Sequence, residues 1–447
     1  GTNDTLKITG SVDFGASNAV LTTNGNLTLV SNATATARVG DLTAGGTISG
    51  ANVLGNVTVE RYIPNHPKAW QFLAAPTMGS SIKNSWQEGN TALGNTRPGY
   101  GTIITGNVNN ATSAGFDIQT STPSLKVYNS STTLWDGVAT TTQSIANGKG
   151  YMLFVRGDRS VTTSTAPATA VVLRTTGQLY TIGANAPASV SVASGKMESV
   201  ANPYASAIDF TAISKTGSVD NKFYIWDPLL TNNSNGLGGF QTLSATNGWK
   251  PIPGGTANFN AGTSYTSIQS GQAFFISSTS GGGSISFTEA CKTTGSANQF
   301  RLSQRLQERQ FLRVSLYNAA GNLADGNVVA LDTDLADSID GDDAIKLMSA
   351  MENIAIVRGN VKLALDARPP IAMEDTIHYA ISNMRAQNYR LKFEPAQLAS
   401  TGLIAYLQDK FLNNLATISL TDTTVYDFNV QASQPGSLAA DRFQVIL

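Results

Sequence analysis

The sequence predicts an all-β protein: tandem β-sandwich or immunoglobulin-like domains behind an N-terminal ladder of strands. Three observations carry the prediction. Short runs alternate apolar with polar residues, the period-two pattern of half-buried strands. Charged residues make up 13% of the chain, about half the usual share, which suits sheets covered by short Thr, Ser and Asn side chains. One multi-part phrase is written twice, which marks a repeated module rather than a single irregular core.

Residues 1–63 form the first segment. The runs TLKITGSVDF, AVLTTNGNLTLVS, ATATARVGDL and GNVTVERYI each alternate, with turn residues between them. Their spacing fits a ladder or solenoid of strands as well as a sandwich. Asn24-Gly25 lies between two runs and predicts a hairpin.

Residues 64–184 and 185–295 are two β-sandwich repeat units. The first reads FLAAPTMGSSI (72–82), then LKVYNSSTTLWDG, then SIANGKGYMLFV (144–155). The second reads SVANPYASAIDF (199–210), then KFYIWDPL, then SIQSGQAFFIS (267–277). Pro76 to Gly148 spans 72 residues and Pro203 to Gly271 spans 68, so the landmarks keep their order and nearly their spacing. A Pro after an apolar run ends a strand, because it has no N–H for the next ladder bond. The Gly feeds an aromatic strand, and Tyr151–Val155 is apolar throughout, so both its faces are expected to be buried.

Residues 296–447 form the C-terminal unit, entered through the polar stretch TTGSANQFRLSQRLQERQ. About seven strand-like runs follow from Phe311, the density of an immunoglobulin-like sandwich. DAIKLMSAM (343–351) is the one good short helix candidate.

The phrases also carry a resemblance. ANPYASAIDF, FYIWDP and SGQAFFI resemble phrases of large Bacteroidetes cell-surface proteins. LRVSLYN, DDAIKL, IAYLQDK, VYDFNV and DRFQVIL resemble the β-domain that precedes the C-terminal sorting domain in type IX secretion cargo. The resemblance covers most of residues 60–447. It implies an extracellular or cell-surface location and that export route, but no particular activity. The sorting domain itself is absent from the sequence, which implies a processed mature end or a lost tail. The triplets Asp4-Thr5-Leu6, Asp337-Ser338-Ile339, Asp375-Thr376-Ile377 and Asp422-Thr423-Thr424 resemble the O-glycosylation pattern of that phylum.

Composition excludes some partners. The net charge of −1 gives no electrostatic reason to hold nucleic acid or an anionic membrane. No apolar run approaches the roughly 18 residues of a membrane helix, so direct membrane insertion is not expected. The single cysteine, Cys291, rules out a disulfide framework and has no His nearby in the sequence.

Catalytic sets are equally scarce. The two histidines, His66 and His378, fall in different predicted domains, which argues against a nucleophile–base–acid triad. Asp136 beside Trp135 and Asp227 beside Trp226 occupy related places in the two repeats, which favours a shared turn role over glycosidase carboxylates. No catalytic or cofactor-binding residue is assigned, and the chain is not expected to be an enzyme. The densest acidic stretch, DTDLADSIDGDD, offers Asp332, Asp334, Asp340, Asp342 and Asp343 as calcium candidates. Its spacing is not that of an EF-hand, and turn bonds and helix capping explain it as well. Arg156-Gly157-Asp158 spells an integrin tripeptide that an exposed turn would be needed to display. Trp70, Trp86, Trp135, Trp226 and Trp249 are candidates for a sugar-stacking platform.

The expected function is that of an extracellular structural or adhesive surface protein. It is expected to be a subunit of a homopolymeric fibre joined by β-strand contacts, its partners being other copies of itself. The strand-like DTLKITGSV and the apolar RFQVIL are suited to strand addition. The alternative is a glycan-binding adhesin, or the accessory region of a secreted polysaccharide-degrading enzyme, with surface glycans as partner.

Overall fold

A computed structural model describes the chain except residues 1–4, 66–67, 89–98, 108–111, 164, 182–184, 231–237, 295–308, 374 and 400–401. The described residues are all-β, with 34 strands and no α-helix. None of their helical turns is long and apolar enough to cross a membrane. The chain divides into two compact units. One comprises Gly1–Val219 and Thr266–Phe300; the other comprises Asp220–Tyr265 and Arg301–Leu447.

The first unit begins as a short parallel β-solenoid. Its strands are β1 (Leu6–Ile8), β2 (Ser11–Val12), β3 (Val20–Thr22), β4 (Leu27–Leu29), β5 (Arg38–Val39), β6 (Asn52–Leu54) and β7 (Asn56–Ile63). β1, β4 and β7 stack in parallel, with Leu6 opposite Leu27 and Leu27 opposite Val57. β2 stacks on β5 and β3 on β6, also in parallel. Three faces therefore wind around one core of Leu27, Leu29, Val39, Leu42, Val53, Val57 and Val59. Alternation of the sequence fits this arrangement, since every second residue points inward. The hairpin expected at Asn24-Gly25 does not form. Both residues take positive φ, 50° and 78°, as that turn requires. The flanking strands nevertheless leave for different faces: β3 pairs in parallel with β6, and β4 with β1 and β7.

β7 also pairs antiparallel with β13 (Val171–Leu179), which ends the first of the two repeats. Their landmarks pair alike. β8 (Ala69–Leu73) pairs with β12 (Tyr151–Val155), Leu73 opposite Tyr151. β15 (Lys196–Ala201) pairs with β21 (Ala273–Ser278), Val200 opposite Phe274. Leu73 and Val200 each lie three residues before their Pro, and Tyr151 and Phe274 each lie three after their Gly. Behind the Pro the pairing is close but shifted by one residue: Ser81 bridges Ser144, four before Gly148, whereas its counterpart Ile208 pairs with Ile268, three before Gly271.

The copies also grip each other. Ala74 N–H donates to Gly271 O, and Ala201 N–H donates to Gly148 O, both at 3.0 Å. Ala74 and Ala201 stand at the same place in their phrases, two before the Pro. Each phrase thus ends its own strand and bonds the Gly turn of the other copy, an internal two-fold relation. Tyr151–Val155 is buried at every position but Phe154, as the continuous apolar run predicts.

In the second unit, β18 (Lys222–Asp227) and β19 (Gly239–Ser244) form an antiparallel pair. Eleven strands follow, rather than seven. They are β24 (Gln310–Tyr317), β25 (Leu323–Leu331), β26 (Ala344–Ile345), β27 (Asn353–Arg358), β28 (Val361–Arg368), β29 (Thr376–Ser382), β30 (Asn388–Ala396), β31 (Ala405–Asp409), β32 (Asn414–Ile418), β33 (Thr424–Asn429) and β34 (Phe443–Ile446). The sheet runs β32-β31-β34-β29-β27-β28-β25-β24-β30-β33, with β26 on β28. β32 and β33 are consecutive in the chain yet lie at opposite ends of this order, and one core draws on all the strands of the path. The sheet curls back on itself into a nearly closed sandwich.

The helix expected over residues 343–351 is absent. Ala344–Ile345 is strand β26, and Lys346 turns inward to Asp325 Oδ1 at 2.5 Å. A buried ion pair and a fully buried Ala344 outweigh the local helix propensity of the segment.

Candidate functional site

The first solenoid rung offers an unfinished surface. Among the described residues, β1, β2 and β3 each pair on one side only. Asn26 O accepts from Leu6 N–H and Ile8 O accepts from Val30 N–H, which turns both groups of Lys7 to the open side. On β2, Gly10 O accepts from Arg38 N–H and Val12 O from Gly40 N–H, so Ser11 likewise faces out. The side chains tell the same story. Ile8, Val12, Phe14 and Leu21 pack on the solenoid core but are only partly buried, and among the described residues no strand lies above them. Leu6 and Val20 are 56% and 50% exposed.

Such an edge combines unpaired backbone groups with apolar area, the two things strand addition uses. Its strands are only two or three residues long, and Ser11 Oγ bonds Asp13 across the rung corner. Both features limit indiscriminate pairing.

The acidic candidates serve the loops of the second unit. Asp343 is buried, accepting from Asp340 N–H and Ala367 N–H at 2.9 Å each. Burial pushes its carboxyl up to about 6. Asp340 Oδ1 accepts from Asp342 N–H, Asp342 Oδ1 accepts from Thr246 Oγ1, and Asp332 Oδ1 accepts from Asp334 N–H. Asp334 is exposed. Among the described residues, no three His, Cys, Asp or Glu side chains converge as a metal would need.

The remaining candidates lie apart. Asp227 is fully buried and accepts from Leu229 N–H, Gln241 Nε2, Thr256 Oγ1 and Asn258 Nδ2. Asp136 is exposed and accepts from Asn129 Nδ2. Asp227 ends β18 whereas Asp136 lies within the strand Leu134–Gly137, so the two carboxylates share neither the related place expected of them nor an environment. His378 is exposed on β29, and His66 lies outside the described residues. Cys291 is buried, which pushes its thiol up to about 11, the profile of an inert packing residue.

The tripeptide 156–158 is not displayed. Arg156 and Asp158 are 8% and 4% exposed, and Asp158 accepts from Gly99 N–H. Trp86 and Trp249 are core residues at 2% and 7% exposure. Trp135 is half-buried among Phe72, Tyr128 and Phe275. Trp70 packs edge-on against Phe154, and Trp226 against Phe240. Trp70, Trp135 and Trp226 thus each pack against aromatic rings of neighbouring strands.

A family model described as a domain of unknown function, DUF8693, matches residues 98–447, more than half of the chain. No curated protein and no solved structure matches it significantly.

Proposed function

The chain belongs to the DUF8693 family, and from that premise we propose that it is an extracellular structural subunit that polymerises at the cell surface through β-strand contacts. The observation that carries this reading is the open first rung, with its one-sided β1, β2 and β3 and its partly buried Ile8, Val12, Phe14 and Leu21. The occupant of that rung is a strand of a second copy. A heterologous contact of this kind propagates as a filament instead of closing.

Other features favour the same reading. The candidate carboxylates and His378 serve turns or lie singly at the surface. The duplicated phrase serves as a joint between β units. Low charge and dense β structure suit a long-lived outdoor scaffold. The resemblance to type IX secretion cargo implies the route and the surface location. Thr5, Ser338 and Thr423 of the glycosylation-like triplets are exposed, so a secreted chain would present them to the modifying enzyme.

Negative-stain microscopy and sedimentation velocity of the purified chain test the proposal. Linear assemblies are expected, and Phe14→Asp is expected to disperse them without unfolding the protein. A wild-type sample that stays monomeric at every concentration removes the polymer.

A further inference from the structure

The internal two-fold relation of the repeats leaves one place filled in one copy and empty in the other. Arg61 lies fifteen residues before Pro76. Its aliphatic stem covers Gly271, with Cδ 3.7 Å from where a Cβ would stand, and its Nη1 donates to Ser270 O at 2.8 Å. The residue fifteen before Pro203 is Ala188. The Gly that matches Gly271 is Gly148, and a Cβ there would meet nothing within 4 Å. Ala188, Gly148 and Asn147, the counterparts of Arg61, Gly271 and Ser270, all line one cavity of about 380 Å³. Ala201 and Pro203 of the second phrase line it as well. Counted back from its Pro, the second copy thus has an alanine where the first has Arg61, and the space beside Gly148 is open.

The cavity lining carries a carboxylate. Five residues before Pro203 stands Glu198, where the first copy has the neutral Gln71. Glu198 lines the cavity and is 6% exposed. Its Oε2 accepts from Ser130 Oγ at 2.7 Å, and its Oε1 lies 3.3 Å from Lys149 Nζ. The Lys149 side chain is 48% exposed, so its ammonium is free to swing into solvent when another cation arrives. Phe287 and Tyr180 supply walls against which a flat guanidinium packs well.

We propose that this cavity binds a guanidinium carried on an alkyl stem, the side chain of an arginine, with Glu198 as its counter-ion. The site is independent of fibre formation and persists in a monomer.

Titration calorimetry of the full-length chain with L-arginine methyl ester tests it, with L-lysine methyl ester and methyl glucoside as controls. Saturable binding of the arginine ester alone is expected. Glu198→Gln is expected to weaken it about tenfold or more, the scale of a charge-assisted hydrogen bond. Lys149→Met is expected to strengthen it, because a competing cation is gone. Ala188 is exposed, so Ala188→Arg folds and is expected to fill the cavity from within, abolishing binding and raising the unfolding midpoint. A capped Gly-Arg-Gly peptide separates the sources: tighter binding than the ester points to arginine within a chain, and equal binding to the free amino acid. No saturation, equal binding of the lysine ester, tighter binding of the glucoside, or an Ala188→Arg chain that binds as well as wild type each overturns the proposal.

Discussion

Asp325 and Lys346 are 5% and 8% exposed and meet only each other and backbone. Lys346 Nζ also donates to Gly326 O, and Asp325 Oδ2 accepts from Ile354 N–H. Removing one partner strands the other charge in the core, at a cost of about 3–5 kcal/mol. Lys346→Met is therefore expected to lower the unfolding free energy by that amount, measured by urea denaturation. A loss below about 1 kcal/mol, the range of an exposed pair, contradicts the assignment. Asp343 makes a different prediction. Burial, the largest influence, and then the neighbouring Asp366 and Asp340 raise its carboxyl to about 6 against two lowering backbone bonds. Its folded value exceeds the unfolded value of about 3.9, so the charged form costs stability above about pH 6. That cost fades as the pH falls toward about 4. Asp343→Asn is expected to be relatively more favourable at pH 7.5 than at pH 5. A difference between variant and wild type that ignores pH sinks the claim.

At the scale of elements, two glycines of the same loop separate conformational need from crowding. Gly148 has φ +70° and faces open space; Gly150 has φ +91°, and a Cβ there would overlap Ala273 Cβ. Gly148→Asn is expected to be nearly neutral, since Asn tolerates positive φ. Gly150→Ala is expected to cost on the order of 2 kcal/mol or more, from strain and overlap together. Equal midpoints for the two variants would contradict the close packing of the copies. Much of this level was legible in the sequence. The spacing of Pro and Gly announced the repeat, and alternation before residue 63 announced stacked strands. What failed was local reasoning where distant partners decide. The DAIKLMSAM stretch has good helix formers, but the carboxylate of Asp325, 21 residues before Lys346, draws that ammonium into the core. No local pattern reveals such a partner. Asn24-Gly25 has a hairpin's turn residues, but the solenoid core sends its strands to separate faces. The cavity was invisible for another reason. It appears only when the two copies are compared position by position, so that Ala188 stands against Arg61 and Glu198 against Gln71.

At the scale of the whole molecule, the account rests on the open rung, whose backbone groups and apolar side chains together await a partner strand. Amide hydrogen exchange, followed over a range of protein concentrations, reads that edge directly. The prediction is that the N–H groups of Lys7 and Ser11, which face away from β4 and β5, exchange quickly in dilute solution. They become protected as the concentration rises, while amides inside the solenoid stay protected throughout. Rapid exchange at Lys7 and Ser11 in concentrated samples, or in assembled material seen by microscopy, would contradict strand addition at this edge.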